Sequence, residues 1–370
     1  MIKTKMFPGQ GSQKVGMGEG LFEQFAQLTQ IADDILGYSI KQLCLEDARN
    51  ELGQTQFTQP ALYVVNALSY YQKLEQSGQK PDFVIGHSLG EYNALLAAEC
   101  FDFETGLKLV KKRGELMSEV SGGGMAAISN ASKVQIETLL ADNGLTSIAL
   151  ANFNTPKQIV ISGLKEDIVK AQALFESGDM MYHPLKTSGA FHSNYMTLSK
   201  IKFAEFLEQF TLSAPKIPVI SNVTGKPYDD SALKTNLTAQ IASAVLFSDS
   251  IEYLINQGEQ ANDEMQFEEV GHGRVLDGLV RRIKRELAAT STQASSQIPA
   301  PNKPPSFADA EQKVLDWNRL YAVGTRVKST QLVSNLFETR SQAMVLFGHR
   351  AAVYMKDHQG YFDLNEVAPL

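Results

Sequence analysis

Short apolar runs alternate with longer segments whose apolar residues recur at helical spacing. The run at 83–85 predicts a strand, and the pattern over 91–98 predicts the helix that follows it. Other predicted helices and strands lie at 21–36, 59–75, 103–118, 196–209, 218–221, 251–257, 266–270 and 276–287. Strands that alternate with helices indicate a parallel sheet with helices on both faces.

The pattern changes after three glycines at 122–124. The predicted order is then strand, helix, strand, strand, helix, strand, over 125–128, 133–142, 147–151, 158–162, 167–177 and 180–185. This order is typical of a ferredoxin-like unit. We therefore expect a large α/β subdomain formed by 1–124 and 189–287, with a small ferredoxin-like subdomain over 125–188 inserted into it.

The composition changes again near residue 288. Residues 288–307 are rich in Ala, Ser, Thr and Gln and contain several prolines, which predicts a linker without a core. Beyond it, 308–370 is predicted to be a small β-rich extension. Its strands are expected at 321–329, 343–347 and 351–355, with a turn at 357–360.

Composition and charge narrow the class of protein. A hydrophobic content of 43% with 20% charged residues suits a globular chain with a sizeable core, and the net charge of −7 gives no reason to expect a nucleic-acid partner. No apolar run reaches the ~18 residues of a membrane span, and the N-terminus lacks a targeting pattern. Cys44 and Cys100 have no metal-ligand spacing. We expect a soluble cytoplasmic protein without metal or cofactor.

Basic residues cluster at 281–285, within a predicted helix. One interpretation is the solvated face and C-terminal end of that helix, where the helix dipole favours positive charge. The other is a docking patch for an acidic partner.

The candidate chemistry centres on Gly86-His87-Ser88-Leu89-Gly90, between a predicted strand and a predicted helix. This is the arrangement of a nucleophile elbow, in which a tight turn exposes the serine hydroxyl. The helix N-terminus supplies unpaired N–H groups where an oxyanion would form. The pattern predicts an acyl-handling enzyme with a covalent Ser88 intermediate. The alternative is a serine kept only for the geometry of the turn.

A nucleophilic serine needs a base, and the chain has six histidines. His87 adjoins Ser88, but adjacent side chains diverge on a tight turn, so His87 is expected to line the pocket. His192 lies where the inserted subdomain returns to the large one, at the mouth of a predicted cleft. Both a catalytic and a structural role remain open for His192 at this point.

Several motifs in order resemble one family. They are Phe-Pro-Gly-Gln-Gly-Ser-Gln at 7–13, Gly-His-Ser-Leu-Gly-Glu at 86–91, Arg113, Gly-Ala-Phe-His-Ser at 189–193 and Glu-Val-Gly at 269–271. Together they resemble malonyl-CoA:acyl carrier protein transacylases and the acyltransferases of polyketide synthases, over about residues 1–287. The length and the appended tail also resemble discrete acyltransferases of trans-acting polyketide synthases. The resemblance implies an α/β-hydrolase-like large subdomain.

The resemblance also implies roles for individual residues. Ser88 would attack malonyl-CoA and become a malonyl ester, and His192 would act as general base and then general acid. The backbone N–H groups of Gln10 and Leu89 would hold the oxyanion. The backbone carbonyl of Gln240 would orient His192 in place of an Asp.

The resemblance further implies which residues select the acyl group. Arg113 would pair with the free carboxylate of the malonyl group, which a planar guanidinium can hold through two hydrogen bonds. Phe191 would crowd an α-methyl group, and Leu89 is also of the malonyl-selective type. Met117 and His87 are assigned to the substrate-binding pocket.

The expected reaction transfers malonyl from malonyl-CoA to the phosphopantetheine thiol of an acyl carrier protein, for polyketide or fatty acid synthesis. Three alternatives remain: an acyl hydrolase of the same fold that clears carrier proteins, a lipase or esterase, and an inactive scaffold that docks carrier proteins. Arg113 favours transfer over hydrolysis, because it selects a carboxylated acyl group.

Overall fold

The computed structural model describes residues 1–187, 189–296, 307–329, 336–346, 350–356, 361–364 and 367–369. They form two compact units, Met1–Ala289 and Thr290–Leu370. Within these described ranges, no helix is long and apolar enough to cross a membrane.

The first unit contains the strands β1 (Ile2–Phe7), β2 (Phe83–Gly86), β3 (Gly123–Ser129), β4 (Ala149–Thr155), β5 (Gln158–Leu164), β6 (Met181–Pro184), β7 (Val219–Ile220) and β8 (Met265–Glu269). Its helices are α1 (Leu21–Gln24), α2 (Ala26–Leu36), α3 (Ile40–Leu45), α4 (Thr55–Ser77), α5 (Gly90–Ala97), α6 (Phe103–Ser118), α7 (Lys133–Asp142), α8 (Lys165–Phe175), α9 (Thr197–Leu207), α10 (Leu233–Ala239), α11 (Phe247–Gln260) and α12 (Val275–Ser296), which extends into the second unit. Short 3₁₀ turns lie at Asn194–Met196, Asp230–Ala232 and Gln240–Ala242.

The large subdomain is built on a parallel sheet in the order β7-β2-β1-β8. Side chains of its strands alternate between two buried cores. One core receives Phe7, Val84 and Val219, and the other receives Met6, Ile85 and Ile220. Burial on both faces explains why β2 and β7 are short, continuous apolar runs, whereas β1 carries Lys3 and Lys5 before its buried end.

The end of this sheet brings two turns together. Phe7 pairs with Gly86, so β1 and β2 end at the same level of the sheet. A Cβ atom on Gly9 would lie 2.3 Å from the His87 carbonyl oxygen, and one on Gly90 would lie 1.9 Å from the Phe7 carbonyl oxygen. Only glycine permits this approach, which places the turn after β1 against the elbow after β2.

The small subdomain has an antiparallel sheet in the order β4-β5-β3-β6, with α7 and α8. It has its own hydrophobic core. The strand order is that of the ferredoxin-like motif. The predicted fold class, a parallel α/β subdomain with an inserted ferredoxin-like one, is confirmed.

Hydrogen bonds at several places join the subdomains. Phe153 N–H donates to the Val245 carbonyl (2.9 Å) and Val245 N–H donates to the Ala151 carbonyl (2.8 Å), so β4 pairs with a segment of the large subdomain. The Glu286 carboxylate on α12 accepts hydrogen bonds from Thr155 Oγ1 (2.8 Å) and Lys157 N–H (3.0 Å). The β4–β5 hairpin is thereby held against the large subdomain.

The second unit contains α13 (Phe307–Leu320) and the strands β9 (Arg326–Ser329), β10 (Leu336–Glu338), β11 (Met344–Leu346), β12 (Arg350–Tyr354), β13 (Tyr361–Asp363) and β14 (Val367–Pro369). They form two three-stranded sheets, β10-β9-β14 and β11-β12-β13, around a small core that includes Trp317 and Val353. Helix α13 has no counterpart in the β-rich prediction. The predicted turn at 357–360 lies outside the described residues.

Some predicted boundaries differ from the structure. The helix predicted over 21–36 is two helices that meet at Phe25, whose ring packs against Tyr71. Residues 288–296, predicted as the first part of a linker, continue α12, and 297–306 lie outside the described residues. The basic cluster at 281–285 is therefore in the first half of α12, so the expectation that it ends the helix is wrong.

Candidate active site

The elbow holds Ser88 in a conformation that non-glycine residues rarely adopt. Its φ is +50°, in the left-handed region. Asn222 stabilises the turn, because its Oδ1 accepts the Ser88 N–H (2.7 Å) and its Nδ2 donates to the Gly86 carbonyl (2.6 Å). Such strain costs about 1–3 kcal/mol and persists only where surrounding contacts impose it.

His192 is positioned to act on Ser88. Its Nε2 lies 2.8 Å from Ser88 Oγ, and its Nδ1 lies 2.9 Å from the Gln240 carbonyl and 3.1 Å from the Ser243 carbonyl. Carbonyl oxygens only accept, so Nδ1 carries the proton and Nε2 accepts the Ser88 hydroxyl proton. This is the tautomer that a general base requires.

The electrostatic surroundings keep His192 neutral. Burial, and then the positive charge of Arg113, lower the pKa of His192 to about 3, although the Gln240 carbonyl acts in the opposite direction. Negative charge placed beside Arg113 would offset the second of these causes.

Arg113 extends from α6 into the same site and is only 1% exposed. Its Nη1 donates to Gln59 Oε1 (2.7 Å), and its Nη2 donates to Gln240 Oε1 (2.8 Å) and Ser88 Oγ (3.1 Å). In the part of the chain that the structure describes, no carboxylate oxygen lies within 4.0 Å of this guanidinium. The buried cation can therefore accept a carboxylate from a ligand.

Glu91 is fully buried behind these groups. Its Oε1 accepts hydrogen bonds from Asn222 N–H and Tyr228 OH (both 2.8 Å), and its Oε2 accepts one from Gln240 Nε2 (2.6 Å). Burial raises the pKa of Glu91 to about 7, against the lowering effect of these donors and of the Arg113 charge.

Two backbone N–H groups lie where the turn after β1 meets the elbow. A Cβ atom on Gly9 would lie 3.5 Å from the Leu89 nitrogen, so the turn that carries Gln10 lies directly against Leu89. Among the described residues, neither the Gln10 nor the Leu89 N–H has an acceptor. This pair of free donors is what an oxyanion hole requires.

A cavity of about 80 Å³ brings most of the predicted residues together. It is lined by Gln10, His87, Ser88, Leu89, Arg113, Met117, Phe191 and His192, along with Gln59 and residues of the small subdomain. A second cavity of about 250 Å³ shares Gln10, His87, Asn152 and Leu185 with it and continues between the subdomains to α12. Gln240 lies behind the first cavity rather than in its lining.

The remaining predicted pocket residues have distinct surroundings. Phe191 is 5% exposed, and Met117 Sδ accepts a hydrogen bond from Gln59 Nε2 (3.4 Å). His87 points away from the serine hydroxyl, since its Nε2 lies 2.9 Å from Asn154 Oδ1 and its ring packs near Phe247. Among the residues with described positions, no group of His, Cys, Asp and Glu side chains could hold a metal ion.

Comparison with known proteins identifies the family. The model of the acyl transferase domain matches residues 5–293. The chain belongs to the acyl transferase family. The predicted resemblance and the predicted acyltransferase activity are confirmed.

This acyltransferase is 57% identical over 288 residues to the polyketide biosynthesis malonyl CoA-acyl carrier protein transacylase PksC of Bacillus subtilis (strain 168). The matched region covers 77% of this chain and 98% of PksC. The crystal structure of a malonyl CoA-acyl carrier protein transacylase from Burkholderia pseudomallei is similar with a TM-score of 0.77 and 56% identity, over 77% of this chain and 99% of that one. A malonyl-transacylase in complex with its type II polyketide synthase acyl-carrier protein is similar with a TM-score of 0.72 and 33% identity, over 77% of this chain and 94% of that one.

Sequence reasoning missed three residues of the acyltransferase site. Gln59 and Asn222 gave no signal, because amides are common on helices and in loops. Glu91 did give one, since it is a charged residue within an otherwise apolar helical pattern. Every residue of α5 is buried, so a carboxyl group there needs partners.

Proposed function

We propose that this acyltransferase moves a malonyl group from malonyl-CoA, through a Ser88 ester, to the phosphopantetheine thiol of an acyl carrier protein. The observation that carries the proposal is the contact of Ser88 Oγ with both His192 Nε2 (2.8 Å) and Arg113 Nη2 (3.1 Å). The nucleophile, a base and a cation for a carboxylated acyl group then meet at one point.

In the first half-reaction, Ser88 Oγ attacks the thioester carbonyl carbon while His192 Nε2 takes the hydroxyl proton. The tetrahedral intermediate collapses with cleavage of the carbon–sulfur bond. The CoA thiolate leaves and takes the proton back from His192, so the products are malonyl-Ser88 and CoA.

In the second half-reaction, the carrier-protein thiol gives its proton to His192 and attacks the ester carbonyl carbon. The Ser88 oxygen leaves and takes that proton, which restores the starting enzyme. In both halves the N–H groups of Gln10 and Leu89 would stabilise the oxyanion, each by about 2.7–4 kcal/mol.

Acyl selection follows from the same cavity. Arg113 would bind the malonyl carboxylate, whereas a neutral acyl group would leave this buried guanidinium unpaired. Phe191 would crowd an α-methyl group, a steric effect of about 1–3 kcal/mol per methyl. The second cavity, which continues to α12, would hold the pantetheine arm common to CoA and carrier protein.

Similarity to named relatives supports the partner and the pathway. PksC is named a polyketide biosynthesis transacylase, and the similarity covers 77% of this chain and 98% of PksC. The similar transacylase bound to an acyl-carrier protein supports a carrier protein as acyl acceptor and polyketide synthesis as the pathway. These relatives favour transfer over the hydrolase alternative. The cytoplasmic location, the need for no cofactor and the subdomain boundaries stay predictions.

Intact mass spectrometry tests the proposal. Incubation with malonyl-CoA should add one malonyl group to the protein, and a later chase with a holo acyl carrier protein should move that mass to the carrier. Ser88→Ala should take up none. Labelling that survives in Ser88→Ala, or release of the acyl group to water during the chase, would count against the proposal.

A further inference from the structure

Glu91 is a buried carboxyl group to which the reaction assigns no step. It lies three residues after the nucleophile, and the groups around it are all donors: Asn222 N–H, Tyr228 OH and Gln240 Nε2. An acceptor-only carboxylate matches this set of partners.

Glu91 fixes the direction of the Gln240 amide. Because the carboxylate cannot donate, the NH₂ group of Gln240 faces Glu91 (2.6 Å) and the Ser88 carbonyl (2.7 Å). The amide oxygen is then turned toward Arg113 Nη2, at 2.8 Å. A reversed amide would set donor against donor at Arg113.

We infer that Glu91 is a positioning residue for acyl selection, which orients Arg113 through Gln240 and balances its charge from one side chain away. The inference rests on the proposed role of Arg113. It gives the buried cation a compensating charge without a direct ion pair.

The indirect arrangement matters because a direct partner would compete with substrate. A buried guanidinium without compensation is costly, whereas one in contact with a protein carboxylate has no need of a ligand carboxylate. Placing one amide between the two charges keeps Arg113 charged and oriented while its remaining N–H groups can bind the acyl carboxylate.

Glu91→Gln tests the inference, because it keeps the size of the side chain and removes the charge. No orientation of the new amide matches its partners, since its NH₂ group would face either Asn222 N–H or Gln240 Nε2. We expect the malonyl-to-acetyl ratio of kcat/KM for Ser88 loading to fall about tenfold, because malonyl loading should fall further than acetyl loading. An unchanged ratio in folded Glu91→Gln would overturn the inference.

A charge-swap variant separates orientation from net charge. Glu91→Gln with Gln240→Glu keeps the total charge but places a carboxylate directly beside Arg113. We expect the malonyl preference to fall at least as far as in the single variant. If the double variant has the malonyl-to-acetyl ratio of the natural protein, no amide is needed between the carboxylate and Arg113. The double variant matches most donors, so it serves even if Glu91→Gln does not fold.

Two further variants make the result specific. Glu269→Gln is a matched control, because Glu269 is also buried but accepts Val275 N–H (3.2 Å) and Asp277 N–H (3.0 Å) at the start of α12. It should leave the malonyl-to-acetyl ratio unchanged; a fall equal to that in Glu91→Gln would reduce Glu91 to a general structural role.

Arg113→Ala distinguishes failure of the inference from failure of the proposed function. It should lower the malonyl-to-acetyl ratio roughly a hundredfold, because a buried charge pair is lost. If it does so and Glu91→Gln does not, only the inference fails. If Arg113→Ala itself leaves the ratio unchanged, the proposed function fails.

Discussion

The two walls of the cavity at Ser88 are built differently. On the large-subdomain wall, Ser88 Oγ is hydrogen-bonded to both His192 (2.8 Å) and Arg113 (3.1 Å). On the small-subdomain side, Asn152 Oδ1 and Thr187 Oγ1 are buried without a hydrogen-bond partner among the described residues. Buried polar atoms are normally paired. The first wall therefore positions its reacting side chains through internal hydrogen bonds and leaves only N–H donors free, among them Arg113 Nε, whereas the second wall has side-chain oxygens free for the substrate.

The largest expected effect is on the large-subdomain wall, at His192. His192→Ala removes the base and should slow loading of Ser88 from malonyl-CoA about a thousandfold, within the range of general-base catalysis. Rapid-quench intact mass spectrometry would give the rate. His183→Ala, an exposed histidine on β6, is the control and should load at the natural rate. If His192→Ala loads at a rate within a few-fold of that of the natural protein, the base does not lie on the large-subdomain wall.

A smaller effect is expected from pH, again through the large-subdomain wall. Lowering the pH through about 7 protonates Glu91, so that one oxygen ceases to be a pure acceptor. The other groups facing it do not change charge there: His192 has a pKa of about 3, Arg113 stays cationic, and burial raises the pKa of Tyr228. Burial likewise raises the pKa of Tyr92, beside Arg113, so Tyr92 stays neutral.

The malonyl-to-acetyl loading ratio should therefore fall about tenfold as the pH decreases from about 8 to about 6. Parallel loading assays with the two acyl-CoAs across this range would measure it. The Glu91→Gln variant should show a flat profile at the lower ratio. A pH-independent ratio in the natural protein would show that the Glu91 carboxyl does not act on Arg113.

The smallest effect is expected on the small-subdomain wall, at Asn152. Asn152→Ala should raise the KM for malonyl-CoA about fivefold, because one hydrogen bond to the pantetheine arm or to the thioester is lost. The malonyl-to-acetyl ratio should stay unchanged. Because Asn152 Oδ1 has no hydrogen-bond partner among the residues with described positions, its removal should leave the melting temperature the same or higher. Steady-state kinetics and thermal melting would test both.

Asn143→Ala, on the exposed end of α7, is the control for Asn152. It should leave the KM for malonyl-CoA unchanged. A lower melting temperature with an unchanged KM in Asn152→Ala would instead assign Asn152 to the packing of the small subdomain.

The two walls also differ in how far sequence could predict them. The elbow at Ser88 follows from glycines beside a short apolar run, and the family motifs supplied His192 and Arg113, which the structure places in one cavity. The hydrogen bonds of Glu91 depend on Asn222, Tyr228 and Gln240, which are more than 130 residues away. Contacts over that separation leave no local periodic signal.

At α12, the local composition predicted a linker where the structure has a helix. Residues 288–296 are Ala, Thr, Ser and Gln, which suggested a linker, yet the helix continues through them to Ser296. Alanine and glutamine are good helix formers, so an established helix can extend into such a segment. The break at Phe25 is the converse case, where a tertiary contact with Tyr71 accompanies the end of one helix and the start of another.

Ser88 and His192 share an unusual backbone, with φ of +50° and +58°. Glycine or asparagine would adopt this conformation more easily, so we expect either substitution to stabilise the fold while abolishing the proposed reaction. At these two positions, stability of the fold and the proposed acyl transfer are therefore in opposition.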